Sequence, residues 1–152
     1  MDMNHLIVEM TTSISEVMET MFYIPVEPQE ISAIKECGFL DADEIEACRI
    51  TFSGTFSGKM YLLVPEQLLS IMTENFTGEQ LHQLTEEHRI GTIKEALNMI
   101  AGNTFSKIAP NTSFGLDVPE IDKRFIDELC NNGKIILVNT MDGEMAVGVH
   151  IT

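Results

Sequence analysis

The chain has 152 residues, of which 44% are hydrophobic and 22% charged, and its formal net charge at pH 7 is −15. This length suits one domain with a single sizeable core, and the composition is that of a globular protein without low-complexity segments. The negative charge argues against nucleic acid or an anionic membrane as a partner, because both attract clustered Lys and Arg. It remains compatible with a protein partner.

The N-terminal segment MDMNHLIVEM has no basic region before an apolar run, so it is not a secretory signal. No stretch of the sequence approaches the ~20 apolar residues of a membrane span. The cysteines Cys37, Cys48 and Cys130 form no CxxC pair, and their odd number fits a reducing compartment. We therefore expect a cytoplasmic protein with buried or inert thiols.

The chain opens with a predicted long helix. Apolar residues recur at helical spacing from Asn4 to Phe22, and Pro25 ends the run. An extended stretch follows near residues 26–34, and the acidic DADE segment at 41–44 reads as a solvated turn.

A hairpin and a short helix come next. Two β-rich segments between residues 47 and 64 meet at Ser57-Gly58, which is a hairpin signal. Pro65 then opens a short helix (PEQLLSIMTENF), because proline is well suited to the first turn. The polar piece at 77–87 indicates a linker or a frayed turn.

The second half begins with another long helix, predicted from the N-cap Thr85 to Ile108. A short helix near residues 121–129 follows a loop-rich region. The last 19 residues, KIILVNTMDGEMAVGVHIT, predict a second hairpin that turns at Asp142-Gly143.

The order helix, strands, hairpin therefore occurs twice, which indicates a rough internal repeat. The two long helices also align, with ISEVMETM (14–21) against IKEALNMI (93–100). Long helices alternating with hairpins predict an α+β fold. We expect one domain, residues 1–152, with an antiparallel sheet, two long helices packed on one face, and two pseudo-symmetric α-β-β halves.

Familiar catalytic and metal motifs are missing from the sequence. No HExxH or His/Cys cluster has zinc-ligand spacing, and there is no GxSxG nucleophile motif. The segment TFSGTFSGK lacks the GxxxxGK[ST] pattern of a phosphate loop. The four histidines are interpreted as surface or core residues: His5, His82, His88 and His150. We therefore predict no metal site and no bound cofactor.

One helix face stands out in the second long helix. At 100° per residue, one face of this helix carries Gly91, Glu95, Asn98 and Gly102, and this face is called here the polar strip. Each glycine costs a helix roughly 1 kcal/mol relative to Ala. Glu95 and Asn98 are neighbours three residues apart, and the glycines leave them uncrowded. Either another protein approaches this surface, or it packs against a helix or a second copy of the chain.

The segment EALNMIAG (95–102) resembles the ExxN signature of the CheC/CheX/FliY phosphatase family, which acts on the phosphorylated chemotaxis response regulator CheY. Length, acidity, the two long helices and their hairpins also fit, so the resemblance covers most of the chain. Members with one motif, in the second long helix, are CheX-like. Here the first helix carries an ExxE at Glu16 and Glu19. Gly91 replaces the consensus Asp or Ser, and Pro119 falls two residues short of the consensus proline.

The resemblance implies an α+β phosphatase with Glu95 and Asn98 as catalytic residues. Asn98 would orient the attacking water, and Glu95 would pair with a lysine of the regulator. Gly91, Gly102 and Met99 are the residues expected to contact the partner. The chain itself would bind no metal, Mg²⁺ would be held by the regulator, and the protein would be a homodimer.

Two other functions compete with this hypothesis. A non-catalytic module could use the polar strip to bind a receiver domain without accelerating phosphate loss. Alternatively, the polar strip could form only a homodimer contact, in which case Glu95→Ala and Asn98→Ala would change the oligomeric state.

Overall fold

The computed structural model describes residues 1–33, 38–41 and 44–152. The helices of this part are α1 (Met3–Met21), α2 (Glu66–Thr77), α3 (Glu86–Ile108) and α4 (Arg124–Asn132). Its strands are β1 (Glu27–Ile31), β2 (Ile45–Ser53), β3 (Gly58–Pro65), β4 (Gly115–Leu116), β5 (Glu120–Ile121), β6 (Lys134–Thr140) and β7 (Gly143–Ile151). None of the described helices is both long and apolar enough to cross a bilayer.

The strands form one antiparallel sheet in the order β1-β6-β7-β3-β2-β4, with β5 also paired to β2. The hairpins β2–β3 and β6–β7 meet through their inner strands, β3 and β7. The outer strand of each hairpin pairs with a short strand from the other half of the chain. The α+β fold with two pseudo-symmetric halves is therefore confirmed.

Alternation along the strands divides the core between the two faces of the sheet. On β3, Met60 and Leu62 join the large apolar cluster beneath α1, α2 and α3. Tyr61 and Leu63 join a smaller cluster with Phe125 of α4. Both long helices thus lie on one face, as predicted, and the structure adds a smaller core on the opposite face.

Helix α3 begins at a reciprocal cap and buries one apolar stripe. The Thr85 hydroxyl oxygen accepts from the His88 backbone N–H at 3.1 Å, and His88 Nδ1 accepts from the Thr85 N–H at 3.2 Å. This reciprocal capping confirms Thr85 as the N-cap. Ile93, Leu97 and other apolar residues then face the core, which leaves the polar strip outside.

Some boundaries differ from those predicted. Residues 54–57 connect β2 to β3, and Gly58 already belongs to β3. A Cβ at Gly58 would lie 2.2 Å from the His150 carbonyl oxygen, so glycine here permits close strand packing. The short helix begins at Arg124, because Ile121 pairs with β2 as part of β5.

The remaining predictions concern the segments between the long helices and the hairpins. The extended stretch predicted at 26–34 contains β1, Glu27–Ile31. The polar piece at 77–87 runs from the last residue of α2 to the first turn of α3, with a 3₁₀ turn at Leu81–Gln83 between them. Cys37 and the centre of the DADE segment lie outside the described residues.

Candidate active site on helix α3

The exposed face of α3 borders a shallow groove of about 310 Å³, called here the groove. Gly91, Lys94, Glu95 and Asn98 line its helix side. Leu116 of β4 and residues 117–119, which connect β4 to β5, line the opposite side. Three members of the polar strip therefore share one concave surface with Lys94.

The Glu95 carboxylate and the Asn98 amide are both exposed. Within the described part of the chain, neither side chain makes a hydrogen bond or an ion pair. A carboxylate accepts hydrogen bonds, whereas an amide both donates and accepts them. The two side chains thus present complementary groups that another molecule can bind.

The predicted partner-contacting residues differ in their surroundings. A Cβ at Gly91 or at Gly102 would meet nothing within 4 Å, so neither glycine is required by internal packing. Gly91 lines the groove, whereas Gly102 lines a neighbouring cleft of about 200 Å³. Met99 is half-buried and packs against the large core. Contact between these residues and a partner stays a prediction.

The corresponding site on α1 has a different arrangement. The Glu16 carboxylate accepts from Lys107 Nζ at 2.6 Å and from Asn103 Nδ2 at 2.8 Å. Hydrogen bonds from Lys107 and then Asn103 hold the pKa of Glu16 below its usual range. Glu16 therefore links α1 to α3, whereas its counterpart Glu95 is unengaged among the described residues.

Residues 117–119, which form the far wall of the groove together with Leu116, are called here the arch. Its flanking strands, β4 and β5, both pair with β2. The Asp117 N–H donates to the Thr51 carbonyl at 2.9 Å, and the Asp122 N–H donates to the Ala47 carbonyl at 3.1 Å. The Asp117 hydrogen bond at one end, and the pairing of β5 with β2 at the other, thus hold the arch to the sheet.

Sequence reasoning missed most of this wall. The arch lies some twenty residues beyond Asn98, and only tertiary pairing with β2 brings the two together. The available signal was Pro119, which lines the groove. Lys94 was also missed: it is the basic side chain among the described lining residues, and it makes no ion pair within them.

A second polar cluster lies on the opposite side of the sheet and has a structural role. Glu128 of α4 accepts from the Tyr61 hydroxyl at 2.6 Å and from Arg49 Nη1 at 2.8 and 2.9 Å. Burial alone would raise the pKa of Glu128, but these hydrogen bonds and the charges of Arg49 and Lys59 hold it below its usual range. The network fastens α4 to the sheet. No group of His, Cys, Asp and Glu is placed to hold a metal among the described residues.

The family model for the chemotaxis phosphatase CheX matches residues 47–125. The match covers more than half of the 152-residue chain and includes α3 and the arch. The chain belongs to the CheX family. No curated protein sequence matches it significantly.

Solved structures of this family and its relatives share the fold. CheX from Vibrio vulnificus superposes with a TM-score of 0.74 at 19% identity, covering 97% of this chain and 96% of that one. The CheX–CheY–BeF₃–Mg²⁺ complex from Borrelia burgdorferi gives a TM-score of 0.70 at 16% identity, covering 96% and 97%. FliY from Thermotoga maritima gives 0.60 at 12% identity, covering 95% and 84%. These TM-scores show that the chain shares the fold of these proteins.

Proposed function

We propose that this protein hydrolyses the aspartyl phosphate of a CheY-like response regulator. The observation that carries the proposal is the Glu95–Asn98 pair, exposed on α3 and unengaged within the described residues. Membership of the CheX family supports a phosphatase activity, and the Borrelia CheX structure contains CheY.

The reaction requires little covalent assistance from the protein. A water oxygen attacks phosphorus in line with the aspartyl oxygen, the acyl P–O bond breaks, and inorganic phosphate and the free carboxylate are formed. Positioning that water is the principal task. The Asn98 amide can accept a hydrogen bond from the water through its oxygen and donate to a phosphoryl oxygen through its nitrogen.

Glu95 fixes the orientation of the two proteins. In this proposal its carboxylate pairs with a lysine beside the regulator's phosphorylated aspartate. Because Glu95 lies one helical turn from Asn98, this ion pair sets where the amide meets the phosphoryl group. Mg²⁺ is expected on the regulator, and the Borrelia complex was solved with Mg²⁺ and BeF₃ bound.

Phosphate release from a panel of phosphorylated receiver domains, each supplied with Mg²⁺, tests the proposal. We expect accelerated release for the cognate domain and a loss of about 100-fold in kcat for Asn98→Ala, because a mispositioned water removes most of the catalysis. Glu19→Ala is the matched control, since Glu19 is exposed at the corresponding position of α1. An Asn98→Ala protein that hydrolyses as fast as wild type would refute the role of Asn98.

Measurements of receiver binding and of oligomeric state separate the competing functions. Receiver binding without faster phosphate loss would identify a non-catalytic module. If Glu95→Ala shifted the elution volume in size-exclusion chromatography and left receiver binding intact, the polar strip would be a dimer contact. Homodimerisation and a cytoplasmic location are further proposals from the family resemblance.

A further inference from the structure

The arch carries an exposed apolar side chain directly across the groove from the catalytic pair. Val118 is 77% exposed, although it lies in a segment held by backbone hydrogen bonds at both ends. It lines the groove together with Glu95 and Asn98. No internal packing in the described part of the chain accounts for a branched apolar residue at this position.

A side chain in this setting is suited to binding. The backbone of the arch is already anchored by the Asp117 N–H at one end and by the pairing of β5 with β2 at the other, so little conformational freedom is lost on association. Valine is stiff at χ1, which reduces the side-chain entropy cost as well. Burying its methyl groups against a partner is favourable, and this contribution depends little on salt.

The charged residues of the groove cannot by themselves supply the affinity for a partner, so an apolar contact at Val118 has a role. Lys94, Glu95 and Asp117 carry charges of both signs, so ionic contacts there orient a partner more than they attract it. The whole chain has a net charge of −15, so its overall field attracts only a partner with a positively charged surface. An apolar contact beside the ionic ones supplies affinity where charge does not.

We propose that the arch is a second docking element for the response regulator, with Val118 contacting an apolar side chain next to the regulator's phosphorylated aspartate. This inference rests on the proposed function and assigns a residue of that same site. Val118 acts on binding alone: Asn98 performs the positioning of water from α3, while Val118 holds the regulator from the other wall of the groove.

The test measures the Kd of a receiver loaded with BeF₃ and Mg²⁺ by calorimetry, together with kcat and KM for phosphate release. We expect Val118→Ala to raise Kd and KM about fivefold, the effect of withdrawing methyl groups from a partly buried contact. Val118→Asp should raise both at least tenfold, because the contact would then contain an unpaired charge. In both variants kcat at saturation and the thermal midpoint should stay unchanged.

The matched control is Met141→Asp. Met141 is 95% exposed at the turn between β6 and β7, and it lines a separate cleft. If Met141→Asp and Val118→Asp raised Kd equally, the added negative charge alone would explain the weaker binding, and the inference would be overturned. Unchanged Kd in both Val118 variants, or a fall in kcat at constant KM, would overturn it too. If wild type neither binds nor dephosphorylates any receiver, the proposed function itself fails.

Discussion

The two glycines of the polar strip allow a prediction about stability and activity together. Neither Gly91 nor Gly102 has a positive φ, and an added Cβ at either position meets nothing within 4 Å. Alanine should therefore be accommodated at both positions without strain. Each substitution should raise the free energy of unfolding by about 0.5–1 kcal/mol, because glycine is that much worse than alanine in a helix.

The two effects should add in the double variant. The glycines are eleven positions apart in the helix, about 16 Å, so the substitutions are independent. Gly91→Ala/Gly102→Ala should gain about 1–2 kcal/mol, which corresponds to about 2–8 °C in the thermal midpoint for a domain of this size. Urea denaturation followed by circular dichroism measures the gain. A destabilised double variant would show that the helix needs its glycines.

A larger side chain at position 91 tests whether the glycines keep the docking surface clear. Gly91→Leu should retain or exceed the wild-type stability, since leucine favours helix and space is open at this position. Its side chain projects into the groove, and KM for the phosphorylated receiver should rise about tenfold as docking is obstructed. Wild-type KM in a stable Gly91→Leu protein would refute the idea that the glycines clear a docking surface.

Two further predictions concern groups away from the groove. Glu128 has a depressed pKa, so its charge stabilises the fold above the unfolded-state pKa, and that contribution disappears as the pH falls through the native pKa. Glu128→Gln should lower the free energy of unfolding at pH 7 by about 1–3 kcal/mol and should make that free energy depend less on pH in the acid range. Urea denaturation at several acid pH values measures this, and the same pH dependence in the variant and the wild type would contradict it. Burial raises the pKa of Cys48 to about 12, whereas Cys130 is exposed. In a Cys37→Ser background, a thiol reagent should therefore label one cysteine in the native protein and two after unfolding, and rapid native labelling of both would refute it.

Local signals in the sequence predicted most of the regular structure. The Thr85 cap and the apolar spacing of both long helices depend on neighbouring residues, and the structure reproduces both. The second hairpin also forms, but its two-residue turn is Met141-Asp142, because Gly143 already pairs with Thr140 as the first residue of β7. The boundary at Gly58 was wrong, because the requirement for glycine there comes from the β7 backbone, which is distant in sequence. Contacts of that kind leave no local pattern.

The same distinction applies to the candidate site. Glu95 and Asn98 could be found from the sequence, since one helix carries both and a family motif contains them. Val118 and the arch could not, because their position depends on the pairing of β4 and β5 with β2. Nor could the sequence show that Glu16 is bound to Lys107, since that contact depends on the packing of α1 against α3.

The Glu16–Lys107 link has a consequence for stoichiometry. It commits the α1 carboxylate to holding two helices together, so the pseudo-symmetric halves are unequal in what they offer to a partner. Under the proposed function each chain receives one regulator at a time, and titration should saturate at equimolar amounts. The rate at which phosphate is removed from the regulator would then be proportional to the number of copies of the protein in the cell, without cooperativity between two sites on one chain.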